Sequence, residues 1–171
     1  TRLDVRTALQ QLVTWSLGAS VVWQLFGTSV GEYLGLKFIW PDLDEVAWLS
    51  FGRLRPVHTN TVFWGWCSMA MIGLAYFVIA RTSVTKIHSY KTGWWAFGLI
   101  NFSVIAGNIC LMAGINNGGG EYREYIWPVM LPFALGLILT FRNFYATVKR
   151  RKIPEIYVSN WYLLASLVWT I

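Results

Sequence analysis

The sequence predicts an all-α integral membrane protein, a transmembrane helix bundle. Three observations predict it. Hydrophobic residues make up 56% of the 171 positions, and the mean hydropathy is +0.47. These residues gather into five apolar runs, at roughly 9–30, 57–80, 94–115, 127–148 and 160–171. Eleven tryptophans are present, and Trp, Tyr and Arg cluster near the ends of the runs, as in the interfacial belts of membrane proteins. A soluble domain does not carry this composition.

The first four runs are each long enough to cross a hydrocarbon core of about 30 Å at about 1.5 Å per residue. The fifth is about half a crossing. It lacks the polar face of a surface helix, so it reads as the start of a fifth transmembrane helix. The chain begins at Thr1 rather than Met and stops inside this run. It therefore reads as one membrane domain, 1–171, belonging to a longer protein. The first run is long and has no small-residue cleavage pattern, which argues against a cleavable signal peptide.

Charge orders the loops. Arg2 and Arg6 precede the first run, and Arg81, Lys86 and Lys91 lie between the second and third. Arg142 and Lys149 to Lys152 close the fourth. Ten of the fourteen basic residues thus fall on one side. The opposite side holds Lys37, Arg53, Arg55 and Arg123 with six of the eight acids: Glu32, Asp42, Asp44, Glu45, Glu121 and Glu124. Basic residues concentrate in cytoplasmic loops. The amino terminus is therefore placed in the cytoplasm, with loops 31–56 and 116–126 outside. The net charge of +6 is dispersed in short loops, which argues against nucleic acid as a partner and for membrane lipid.

Pro41 and Pro56 punctuate the first outer loop, and Pro56 is expected at a helix start, where its missing N–H is harmless. Gly118 to Gly120 make the second outer loop flexible or tightly turned. Cys67 and Cys110 read as packing residues inside apolar runs. Asn101 and Asn108, seven apart, share a helix face and suit hydrogen bonding between helices. His88 stands among Lys86, Tyr90 and Lys91 and is expected to be solvated.

His58 is the most informative residue. It lies about one turn inside the second run, with Arg53 and Arg55 just outside. A polar ring at that depth costs free energy unless something binds it. Neutral imidazole is a good axial ligand for haem iron, and two rim arginines suit two propionates. The competing reading is a histidine bonded to a neighbouring helix. Gly65, on the His58 face, either leaves room for a flat macrocycle or permits close helix packing. Glu121 and Glu124 would share a face if their stretch were helical. They suit either a calcium ion or a solvated loop balanced by Arg123. No nucleophile–base pair, phosphate loop or Cys/His cluster is visible.

Three stretches carry a family resemblance: Phe51-Gly-Arg-Leu-Arg-Pro-Val-His-Thr59, Glu121-Tyr-Arg-Glu124 with Trp127-Pro128, and Lys149-Arg-Arg-Lys-Ile-Pro-Glu-Ile-Tyr-Val-Ser-Asn-Trp161. In this order the chain resembles the amino-terminal third of subunit I of cbb3-type cytochrome c oxidases, the C-family of haem–copper oxidases. The resemblance implies a proton-translocating terminal oxidase of a bacterial inner membrane. It would reduce O2 to water with electrons from cytochrome c, alongside other subunits carrying c-type haem. It implies His58 as an axial ligand of low-spin haem b, with Arg53 and Arg55 at the propionates. It also implies Glu121, with Glu124 nearby, at a calcium ion. The second haem b ligand, the high-spin haem b and the copper ligands belong to later parts of such a subunit, so these residues alone are expected to be inactive. Gly118 to Gly120 fall where the family varies. The large subunit of nitric oxide reductases is a related alternative. A membrane anchor or sensor without haem is a more distant one.

Overall fold

The computed structural model describes the backbone of residues 2–171 and the side chains of 7–171. The side chains of Arg2 and Arg6, which the charge argument uses, lie outside the described residues. Among the described residues, five helices form an antiparallel bundle. α1 runs over Arg2–Ile39, α2 over Phe51–Thr82, α3 over Tyr90–Ala113, α4 over Trp127–Lys149 and α5 over Val158–Thr170. A 3-10 turn, Ala47–Leu49, lies in the first long loop. No strand occurs among the described residues.

α2, α3 and α4 are each long and apolar enough to cross a membrane. α1 is long enough but more polar, because Gln10, Gln11 and Gln24 fall within it. The helices outrun the apolar runs that announce them. α1 begins near the chain start and continues to Ile39, because nothing breaks it before Pro41, which excludes helical backbone at the residue before it. α2 begins at Phe51 rather than near 57, so Pro56 is inside the helix.

α2 also contains a π-helical stretch, Thr61–Cys67, that begins three residues after His58. There the Ser68 amide reaches back five residues to the Phe63 carbonyl. Such turns add a residue to the helix and re-aim the side chains beyond them. α3 opens on Ser89, whose side chain accepts from the Thr92 amide at 3.2 Å. It closes on Gly114 at φ +85°, a left-handed cap that returns amides to the Cys110 and Leu111 carbonyls.

A membrane offers little hydrophobic drive between helices, so association rests on close packing and polar ties. Small residues make the approaches. A Cβ on Gly136 of α4 would stand 2.7 Å from Ile100 Cγ1 and 3.2 Å from the Ala96 carbonyl oxygen of α3. A Cβ on Gly73 would stand 2.8 Å from Ser16 Cβ. The main core gathers Leu12, Met69, Tyr76, Ile79, Ile100 and Phe144, from four helices. Polar ties stitch the rest. Trp23 Nε1 donates to Asn101 Oδ1 at 2.7 Å, and Asn108 Nδ2 donates to Thr61 Oγ1 at 2.8 Å. The expected interhelical role of both asparagines is thus realised. Thr82 Oγ1 donates to Asn160 Oδ1 at 2.6 Å, linking α2 to α5.

Two expectations change. His88 is half-buried, not solvated: its amide donates to Thr147 Oγ1 and its Nδ1 is buried without a partner. Cys67 is exposed on the bundle surface, whereas Cys110 packs against a smaller cluster of Val57, Leu111, Tyr125 and Val129.

The glycine contacts give a paired test. Gly136→Ala pushes a methyl into Ile100 and should cost about 1–3 kcal/mol. Gly98→Ala meets open space and should be neutral or slightly stabilising, as alanine is the better helix former. Thermal unfolding of both variants in detergent checks this. Equal midpoints would contradict the packing account.

Candidate functional site

His58 leaves the second turn of α2 and lies against α1. Its Nδ1 is 2.7 Å from the Gly27 carbonyl oxygen. A carbonyl only accepts, so Nδ1 carries the proton and donates. In the neutral ring Nε2 is then left with its lone pair. The ring reaches the carbonyl because α1 has no side chain in the way. A Cβ on Gly31 would stand 2.6 Å from His58 Cε1 and 2.8 Å from Nδ1. A Cβ on Gly27 would meet Val62 Cγ2 at 3.0 Å. Gly31 thus makes room for the imidazole, while Gly27 lets Val62 approach and supplies the carbonyl. The ring is half-buried, so it is not sealed within this bundle.

Gly65 does not supply space beside the imidazole. Its open side is filled by Trp23, whose Cγ would lie 2.8 Å from a Cβ there. Of the two sequence readings, helix packing is the one observed. The glycine that makes room for His58 is Gly31, on the partner helix, where periodicity along α2 gives no sign of it. The spacing of Gly27, Gly31 and Gly35 was the available signal, since small residues four apart mark a face for close helix approach.

Both rim arginines lie at the start of α2. Arg53 Nη1 donates to the Met112 carbonyl at 3.0 Å. Gly114 permits this, because a Cβ there would stand 3.1 Å from Arg53 Cζ. Arg55 Nη2 pairs with Glu121 Oε1 at 2.9 Å, with side chains 53% and 49% exposed. At that exposure the pair contributes little stability. Each guanidinium has five N–H donors, so most remain available to a further anion.

Glu121 and Glu124 do not share a helical face, because residues 115–126 form no helix. The Gly118 backbone, at φ +61°, and the Asn117 amide bonded to the Glu124 carbonyl at 2.8 Å fold the loop instead. Glu121 turns out to Arg55. Glu124 turns in, and its Oε2 accepts from Asn60 Nδ2 at 2.8 Å. Asn60 is fully buried and also donates to the Pro56 carbonyl, while its Oδ1 has no partner. The Trp64 indole donates to the Tyr122 carbonyl at 3.0 Å. Tyr125 donates to Asn108 Oδ1 at 2.9 Å and lies flush on Gly107. The outer loop is thus fastened to α2 and α3 at four points, counting Arg55 with Glu121. Asn60 and Trp64 are contributors the sequence reading did not single out. Among the described residues no three His, Cys, Asp or Glu side chains converge to hold a metal. Glu121 and Glu124 alone, each with its own partner, do not make a calcium cage.

Comparison with known proteins accords with this arrangement. The family model for cytochrome c and quinol oxidase polypeptide I matches residues 11–171. The "cytochrome c oxidase subunit 1 homolog" of Agrobacterium tumefaciens is 31% identical over 158 residues, which are 92% of this chain and 29% of that one. The cbb3-type cytochrome c oxidase subunit CcoN1 of Stutzerimonas stutzeri is 30% identical over 150 residues, 87% of this chain and 31% of that one. A further subunit 1 homolog, from Azorhizobium caulinodans, is 32% identical over 150 residues, 87% and 27% of the two chains. The chain therefore spans about three-tenths of the length of the curated relatives it matches. With a helical membrane bundle, an imidazole held between its first two helices and a family match over nearly its whole length, this chain belongs to the cytochrome c and quinol oxidase polypeptide I family.

Proposed function

We propose that this chain forms part of the catalytic subunit of a cbb3-type terminal oxidase, and that His58 Nε2 is an axial ligand of its low-spin haem b. The 2.7 Å bond from Nδ1 to the Gly27 carbonyl carries the reading. Metal-bound histidines characteristically give their other ring N–H to a carbonyl or carboxylate, which fixes the tautomer and raises the basicity of the ligating nitrogen. The close approach of the ring to Gly31 is the second support, since it holds the imidazole against α1.

The donor set fits haem: one imidazole with a free Nε2, and two arginines with unused donors at the rim. When bound, low-spin haem b carries single electrons. His58 Nε2 would hold the iron, with the Gly27 carbonyl holding His58. Arg53 and Arg55 would bind the propionates by charge-assisted hydrogen bonds. The second axial ligand, the high-spin haem b and copper belong to the remainder of the subunit. The segment alone is proposed to be inactive.

The reaction proposed for the whole protein is reduction of O2 to water with electrons from cytochrome c, coupled to proton translocation, beside subunits carrying c-type haem. The relatives named above are oxidase subunits, which favours O2 over NO. The charge asymmetry of the loops supports a multi-pass protein of the bacterial inner membrane, with a cytoplasmic amino terminus and with loops 31–56 and 116–126 in the periplasm. Glu121, with Glu124 nearby, would supply carboxylate oxygen to a calcium ion, which would offset the repulsion of the anions gathered there.

Two substitutions in the full-length subunit test these assignments. His58→Ala should abolish the low-spin haem b absorbance while the high-spin signal persists, and an unchanged low-spin spectrum would overturn the ligand assignment. Glu121→Gln keeps the shape and removes one charge. Bound calcium, measured by elemental analysis of the purified complex, should fall and haem loading should fall with it. Full calcium content with normal haem would return Glu121 to a plain surface partner of Arg55.

A further inference from the structure

A hollow of about 480 Å³ opens between the end of α1 and the start of α2, on the face lined by Lys37, Phe38, Asp44, Glu45, Ser50 and Phe51. That volume lies within the usual range for small-ligand sites. The hollow is held open by a latch. The Tyr33 hydroxyl and the Lys37 ammonium both donate to Asp44 Oδ2, and the Val46 amide donates to Asp44 Oδ1 at 3.0 Å. These bonds, Lys37 first, keep the Asp44 carboxyl below its ordinary value. Asp44 is therefore an ionised, fully engaged wall residue. Lys37 has three N–H donors and retains some beyond Asp44.

Glu45 is different, since no hydrogen bond or ion pair engages it among the described residues. Ser50 precedes α2 without using its side chain as a cap; the Arg53 and Leu54 amides return to its carbonyl, which leaves its hydroxyl and the Phe51 and Gly52 amides at the start of the helix. Phe38 and Phe51 stand edge to face at 5.3 Å and form an apolar flank. Phe38 is 77% exposed, Trp40 57% and Trp48 46%. Aromatic rings so bare, around the end of α1 and the loop that follows it, belong at the headgroup level of a bilayer.

We propose that this hollow binds the headgroup of a zwitterionic phospholipid with a primary ammonium. Glu45 takes the ammonium. The phosphate lies between Lys37, the Ser50 hydroxyl and the start of α2, where helix amides favour anions. The acyl chains run down the Phe38 and Phe51 flank. Lys37, Asp44 and Glu45 together leave one negative charge in surplus, which selects a lipid carrying its own cation over an anionic one. A primary ammonium donates hydrogen bonds to a carboxylate, and a trimethylated one does not.

The test uses the full-length oxidase complex, stripped of lipid in detergent and offered phosphatidylethanolamine, phosphatidylcholine or phosphatidylglycerol, with retained lipid read by native mass spectrometry. The wild-type complex should retain phosphatidylethanolamine about tenfold better than phosphatidylcholine, the difference made by one charge-assisted hydrogen bond. Glu45→Gln should bring the two to parity with the haem spectrum unchanged. Ser50→Ala should weaken both lipids alike, because both carry the phosphate. Parity in the wild type, a preference for phosphatidylglycerol, or a Glu45→Gln complex that keeps its preference would overturn the site. Displacement by free phosphoethanolamine at matching concentration would overturn the lipid as its occupant.

Discussion

The hydrogen bond from His58 Nδ1 to the Gly27 carbonyl is the interaction on which the candidate site depends. It joins α1 to α2, fixes which nitrogen carries the proton and leaves the other free. It forms only because Gly31 lets the imidazole lie against the backbone of α1. A methyl at position 31 would occupy space within 3 Å of two ring atoms. The helix interface and the ligand geometry are therefore one constraint, and a change in either alters both.

Around this contact the outer end of the bundle is fastened by polar groups. Asn60 ties Glu124 to α2, Trp64 ties the Tyr122 carbonyl, and the Tyr125–Asn108–Thr61 file crosses from the loop through α3 to α2. In a bilayer these bonds have little water to compete with, which makes them effective specifiers of geometry. They hold the outer loop against α2 and α3, beside the helix that carries Arg53, Arg55 and His58. The π-helical stretch Thr61–Cys67 begins three residues after His58 and carries two of these fastening residues, Thr61 and Trp64. It turns Trp64 toward the outer loop and Gly65 toward Trp23 of α1.

Much of this was legible in the sequence. The apolar runs announced the helices, because crossing a hydrocarbon core demands length and apolarity that soluble elements do not need. His58 and its arginines stood out because polar groups at that depth require a reason. The helix ends were not legible, since α1 and α2 continue through polar residues that hydropathy assigns to loops. The space for the ring was misplaced. Gly65 was the glycine on the histidine's own face, whereas the one that touches the ring is Gly31, and only the pairing of α1 with α2 reveals it. Glu121 and Glu124 looked like neighbours on a helix, but a left-handed Gly118 folds their loop so that they part. The buried asparagine at position 60 gave no periodic signal at all.

The most direct measurement is the low-spin haem b spectrum and potential of Gly31→Ala in the full-length subunit, set against Gly35→Ala. Gly35 lies one turn further along the same stripe, and a Cβ there would meet nothing within 4 Å. Gly31→Ala should lose or strongly shift the low-spin signal, while Gly35→Ala should keep both absorbance and potential. A Gly31→Ala protein with full low-spin haem at an unchanged potential would contradict the ligand assignment.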